Sequence, residues 1–342
     1  MRYLKSLTCA WSLSALLLLA CSSSNGDDNG GTTGGGNQGD GGQRVETELY
    51  GMLGKCASIK TISAWQDQKL ADGVTYVKTS VVKTSGRKDV IYIVKKAANA
   101  PGAALKTGLN VPADGDKWPY EMSFPLDIAK KFDTTGESVV ALQGGDFSRW
   151  LDYQLADPQP IDFGCRGPVH HRGKVLQDHF VPEEGWAHQA LSFIGIDKSG
   201  KMVIGDAADY PSKKSSLQEC TGGGYRIVRD GTVCKGYDLK VNGEYAELED
   251  KYPFSSIGCR ADGTIIMLIC DGRTDVSTGL TYAEAGNIMK AMGCEQALML
   301  DGGGSAQMFI KSPKTGTIAL QNKPTDGGQR KMRTYWMLTV TK

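Results

Sequence analysis

Net charge is almost absent from this chain: 39 basic residues face 38 acidic ones, for a formal +1 at neutral pH. A nucleic-acid or anionic-membrane surface needs a basic excess, so composition argues against both partners. Histidine is scarce, with four residues, all between His170 and His188. Adjacent His170 and His171 point their rings apart on a strand, and no Glu-x-x-His helix accompanies them. Cys-x-x-Cys and Cys/His zinc spacings are missing too. There is no phosphate-loop lysine, no strand-borne G-x-G-x-x-G fingerprint and no G-x-S-x-G nucleophile elbow. One apolar run stands out, near the N-terminus, and it is too short for a comfortable membrane span.

That run reads as a targeting segment. Arg2 and Lys5 precede an apolar stretch through Leu13 to Ala20, and Leu18-Leu19-Ala20-Cys21 resembles a bacterial lipobox. The expectation is a signal peptide over 1–20, cleavage before Cys21 and lipidation of Cys21. Ser22 resembles outer-membrane sorting, which predicts a lipid-anchored protein of the cell envelope whose only membrane contact is the anchor. Removing Arg2 and Lys5, the only charges in 1–20, turns the formal +1 into −1. Residues 22–43 hold no apolar side chain, so 21–45 is expected to be an anchor plus flexible tether reaching roughly 25 Å.

Seven cysteines remain after Cys9 and Cys21 are set aside: Cys56, Cys165, Cys220, Cys234, Cys259, Cys270 and Cys294. An oxidising compartment permits disulfides, but seven is odd, so at least one thiol stays free. Cys270 and Cys294 read as small core residues.

Residues 46–342 read as one domain, with 46–70 an N-terminal addition packed on it. Short apolar runs at Val90–Val94, Val139–Leu142, Leu191–Ile196 and Met337–Val340 alternate with Asp-Gly turns at 72–73, 230–231, 262–263 and 271–272. These predict hairpins and a β-rich mixed sheet with few helices, an α+β fold. Phe124–Phe132 is one helical segment. A better one follows Thr281, whose S/T-x-x-E spacing to Glu284 is a capping box. Ile288, Met289 and Met292 give it one apolar face, and Gly293 ends it.

This helix sits inside the most informative stretch of the chain. Ile265–Cys270 delivers Asp271-Gly272-Arg273, and Ala297–Leu300 delivers Asp301-Gly302-Gly303-Gly304-Ser305. Three consecutive glycines weaken packing, so they imply close approach of backbone to a ligand. A strand–helix–strand unit over 265–300 favours parallel strands, which would put Asp271 and Asp301 at one sheet edge. Gln143-Gly144-Gly145 repeats the pattern at the end of Val139–Leu142. It also fits a tight turn. Arg330 lies in the turn-rich loop Asn322–Arg330.

Together these residues resemble the phosphodiester glycosidase family. The resemblance runs from about residue 75 to the end and is carried by Asp271-Gly272-Arg273, Gly279-Leu280-Thr281, Met292-Gly293-Cys294 and Leu300–Ser305. Gln143-Gly144-Gly145 resembles the family's Asn-Gly-Gly, and Asn322–Arg330 its late Asn-x-Pro…Gly-Gly-x-Arg. There are departures: Gln143 replaces Asn, Asp146 stands where an aromatic is common, and Phe254-Ser255-Ser256 replaces Pro-Arg-Thr.

The resemblance implies cleavage between a sugar's anomeric carbon and a phosphodiester oxygen. Asp301 and Asp271 are then the carboxylate candidates, with Glu284 either a third or a helix cap. Arg273, Arg330, Asp326, Gln143 to Gly145, Gly302 to Gly304 and Ser305 become candidates for holding substrate. The partner implied is a carbohydrate phosphodiester or glycan, and no cofactor is expected. A divalent cation among Asp271, Asp301 and Asp326 is one alternative; a non-catalytic glycan-binding lipoprotein is the other.

Overall fold

The computed structural model describes residues 44–111, 122–148, 164–183, 186–234, 240–241, 244–245 and 251–342. Residues 1–43, with the expected signal peptide, Cys21 and most of the expected tether, lie outside the described residues. Residues from Arg44 onward belong to one compact unit. The described residues form an eight-stranded sheet, two five-stranded sheets and a two-stranded ladder, with four α-helices. This is the β-rich α+β class that the turn spacing predicts.

Three of the four Asp-Gly pairs make hairpins. Asp72-Gly73 joins strands Ile59–Ala71 and Val74–Lys83, and Asp262-Gly263 lies between Phe254–Cys259 and Ile265–Cys270. Asp230 and Gly231 both have positive φ, 48° and 68°, as a type I′ turn requires. Asp271-Gly272 differs: it leaves its strand into a loop, and the chain next becomes regular at helix Tyr282–Ala291. Residues 46–70 supply helix Thr47–Leu53 and the edge strand of the large sheet, and Leu49 and Leu53 are fully buried in its core.

The strand–helix–strand unit is present, with one strand more than expected. Ile265–Cys270 and Gln296–Met299 each pair antiparallel with Phe254–Cys259, which lies between them. They therefore run in the same direction without being neighbours, and both end at the same sheet edge. Helix Tyr282–Ala291 carries the predicted capping box, and Gly293 follows it at φ +82°.

Side-chain alternation then separates the two aspartates. Ile266, Leu268 and Cys270 face the core shared with helices Thr47–Leu53 and Tyr282–Ala291. Ile265, Met267 and Ile269 face the core shared with Ala141, Met308, Trp336 and Leu338 of the C-terminal five-stranded sheet. On the neighbouring run, Ala297 and Met299 face the helices while Leu298 and Leu300 face the sheet. Extending each alternation by one or two residues sends Asp271 towards the sheet side and Asp301 towards the helix side.

Candidate active site

Asp301 is fixed through its backbone. Its N–H donates to the Gly145 carbonyl at 3.1 Å, and the Leu300 N–H donates to the Ser255 carbonyl at 2.8 Å. Gly145 in turn donates to the Thr334 carbonyl at 3.1 Å. A Cβ on residue 145 would lie 2.6 Å from Thr334 Oγ1, so only glycine permits this approach. The strand Glu137–Gly144 and the strand Gln296–Met299 therefore deliver Gly145 and Asp301 to one point.

The half-buried Asp301 carboxylate accepts from the Ser305 hydroxyl and the Gly302 N–H, with the Arg330 guanidinium close enough to favour its charged form. Burial outweighs these groups, the Asp326 charge adds to it, and the carboxyl is pushed up to about 6.

A second carboxylate lies behind it. Asp146 is fully buried; Oδ1 accepts the Phe147 N–H at 2.8 Å and Oδ2 the Gly167 N–H at 2.9 Å. Burial, reinforced by the charge of Asp301, pushes it up to about 7, while the two N–H groups and Arg166 oppose that rise. In the sequence Asp146 stands out only as a departure. The missed clue is an acid directly after the glycines of a strand end.

In front of Asp301 opens a pocket of about 190 Å³. Phe147, Trp186, Tyr252, Phe254 and Tyr282 supply its rings. Among the described lining residues Asp301 is the one carboxylate, beside His188, Gln189, Ser255, Gly302 and Gly303. Phe254 stands out in the sequence only as a departure, and Trp186, Tyr252 and Tyr282 not at all, because the segments that meet here, around 147, 186, 252–254 and 282, show no shared pattern.

Several candidates take other places. Asp271 is 2 % exposed and does not line the pocket. Its Oδ1 accepts from the Lys323 N–H at 2.8 Å and Asn322 Nδ2 at 3.2 Å, and its Oδ2 from the Tyr92 hydroxyl at 2.9 Å. It anchors the start of the loop that carries Asp326 and Arg330. Glu284 is a helix cap: its carboxylate accepts from the Thr281 N–H and pairs with the buried Lys83 ammonium, each at 3.0 Å. Lys83 also pairs with Asp89 at 2.8 Å, so Glu284 belongs to a structural ion cluster outside the pocket.

The glycine amides do not form a shared anion hole. Gly302 N–H serves the Asp301 carboxylate and Gly303 N–H donates to the Pro253 carbonyl at 3.0 Å. Gly304 lies against the Asp326 side chain, which pairs with Arg330 at 3.6 Å. Arg330 is held through its backbone by both amide atoms of Gln307, at 2.7 and 3.1 Å. Arg273, at φ +57°, does not line the pocket; its guanidinium sits over the Tyr252 ring, 5.3 Å from the centroid.

Gln143 is buried too, donating from Nε2 to Ser255 Oγ and the Ser256 carbonyl, each at 3.0 Å. Among the described residues no three His, Cys, Asp or Glu side chains converge as metal ligands, so Asp271, Asp301 and Asp326 do not form the cation site considered above. All seven described cysteines are free thiols, with Cys270 and Cys294 in the core.

A family model described as phosphodiester glycosidase matches residues 137–339, more than half of the chain. The chain belongs to the phosphodiester glycosidase family. Its fold is similar to the zebrafish N-acetylglucosamine-1-phosphodiester alpha-N-acetylglucosaminidase catalytic domain, solved auto-inhibited by its pro-peptide. That likeness has a TM-score of 0.56 at 17% identity and covers 80% of this chain and 87% of that one. A hypothetical protein from Synechocystis is similar at TM-score 0.55 and 13% identity, over 81% of this chain and 64% of that one. A putative exported protein from Burkholderia pseudomallei K96243 is similar at TM-score 0.53 and 12% identity, over 82% and 97%. Among curated proteins, an uncharacterized SPbeta prophage-derived protein of Bacillus subtilis (strain 168), YomE, is 36% identical over 75 residues. That segment is 22% of this chain and 12% of YomE, so the chain matches only a small part of that relative.

Proposed function

We propose that the domain hydrolyses the bond between a sugar's anomeric carbon and a phosphodiester oxygen, with Asp301 as the carboxylate at the reacting carbon. The observation that carries this reading is the placement of Asp301: the sole acid among the described lining residues of a ring-walled pocket, with the Arg330 charge close enough to lower its carboxyl. The leaving group is a phosphate monoester, already a weak base, so a strong general acid is unnecessary. The developing charge at the anomeric carbon is positive, and a fixed carboxylate stabilises it more than it stabilises the ground state. Arg330 supplies the positive charge for the phosphate, since the Gly302 and Gly303 N–H groups serve Asp301 and Pro253. The name of the zebrafish relative suggests the bond class.

The test is release of phosphomonoester from a panel of synthetic sugar-1-phosphodiesters, with and without EDTA. Release unaffected by EDTA supports hydrolysis by protein groups alone, whereas loss with EDTA supports a bound divalent cation. A non-catalytic glycan-binding role is the second reading, favoured by the commitment of Asp271 to three donors, which leaves one carboxylate in the pocket. Binding of the panel without release would favour it. We also propose that Cys21 carries a lipid and holds the domain at the cell envelope through the 22–43 tether. Cys21→Ser should release the protein from membranes; unchanged fractionation would contradict this.

A further inference from the structure

Large hydrophobic side chains left exposed among the described residues are Val45, Val175, Val276 and Trp186, which is 48% exposed. The valines are small. An exposed indole leaves far more apolar surface in water, at roughly 25 cal/mol per Å², and this one stands in the wall of the pocket that holds Asp301. It is held firmly from below. The Trp186 backbone N–H donates to the Glu183 carbonyl, and its backbone carbonyl accepts from the Gln189 N–H, each at 2.9 Å. Its ring leans on His188 at 5.8 Å between centroids, His188 stacks on Tyr225 at 6.1 Å, and Tyr225 meets Tyr282 edge-on at 4.9 Å. An exposed ring backed by three buried or half-buried ones is pre-organised to receive a flat apolar surface at little entropic cost.

The remainder of the pocket is polar where Asp301, Gln189 and Ser255 line it. The fitting ligand therefore has one apolar face and a polar rim. A pyranose ring has that form, with C–H bonds on one face and hydroxyls at the edge.

We propose that Trp186 is the specificity-determining residue of this site, its exposed indole stacking on the C–H face of a pyranose whose anomeric carbon faces Asp301. This builds on the hydrolase reading for the position of the reacting carbon; the stacking itself does not need turnover. Sugars that keep an unobstructed C–H face bind, and those with an axial hydroxyl on that face bind less well. The contact is the same in ground and transition states, so it acts on KM more than on kcat.

The test uses calorimetry in the Asp301→Asn background, where turnover cannot interfere. The probes are methyl glycosides of glucose, mannose, galactose and N-acetylglucosamine, with inorganic phosphate as control. Trp186→Ala should weaken binding of the preferred glycoside at least tenfold, in line with the worth of ring stacking elsewhere, and leave phosphate binding unchanged. Trp186→Phe should restore most of the loss, which also shows that the fold survives. In the active protein, Trp186→Ala should raise KM for a sugar-1-phosphodiester more than it lowers kcat. Unchanged glycoside affinity in Trp186→Ala would overturn the proposal, as would binding of phosphate alone. If no phosphodiester is hydrolysed, the hydrolase reading fails, and the calorimetry still decides whether Trp186 holds a sugar.

Discussion

Gln143 and Ser255 are bonded to each other: the amide Nε2 donates to the hydroxyl Oγ at 3.0 Å, with both residues no more than 1% exposed. They are also two of the positions at which the chain departs from its family's motifs, so the two departures meet in one contact. Because Gln143 also holds the Ser256 carbonyl, Gln143→Ala should destabilise more than Ser255→Ala, by about 2 kcal/mol against about 1. The double variant should fall short of the sum by about 0.5–1 kcal/mol, as contacting residues do. Denaturant titration of the three variants checks this; strict additivity would show that the contact is not a functional unit.

Asp271 is expected to act on the loop it anchors. Asp271→Asn removes the charge and one of the two acceptor oxygens that hold the Lys323 N–H on one side and the Tyr92 hydroxyl on the other. Hydrogen exchange over 323–330 should accelerate, and turnover should fall far less than in Asp301→Asn. Abolished turnover with unchanged exchange would return Asp271 to a direct catalytic role.

Glu284 should matter for stability alone. Glu284→Gln keeps the capping box and loses the charge facing Lys83, which retains Asp89. Glu284→Ala loses both and should cost about 1–2 kcal/mol more. Thermal unfolding of the pair measures the difference. Turnover of the folded variants should stay near that of the unmodified protein, and a hundredfold fall would contradict the assignment.

The acid limb of turnover should follow Asp301. The reaction needs its ionised form, so rate falls as pH drops through about 6. Arg330 lowers this carboxyl and Asp326 raises it. Arg330→Ala should therefore move the limb to higher pH and Asp326→Asn to lower pH. Stability has the opposite sense. The folded-state value lies above the ordinary carboxylate value, so the native protein binds more protons, and this group's contribution falls as pH rises from roughly 3.9 to about 6. Asp301→Asn should thus raise the melting temperature at pH 8 and give no such gain at pH 4.

Much of this was legible in the chain because local rules carried it. The Asp-Gly hairpins, the Thr281 to Glu284 capping box and the strand ends at Asp271 and Asp301 each follow from a few adjacent residues. What was not legible depended on distant partners. The strand Phe254–Cys259, interrupted by Ser and Gly, gave no apolar run, so its insertion between Ile265–Cys270 and Gln296–Met299 could not be foreseen. That alternation, invisible without the register, puts Asp271 on one face and Asp301 on the other. Asp146 and the rings of the pocket converge only through tertiary packing.

The central claim is that Asp301 supplies the charge that lowers the barrier. The direct measurement is the rate of phosphomonoester release from the best sugar-1-phosphodiester by the native protein and by Asp301→Asn. The substitution preserves shape and removes charge. The account predicts a fall of about a thousandfold or more in kcat, with circular dichroism unchanged. Equal rates in the two proteins would contradict it.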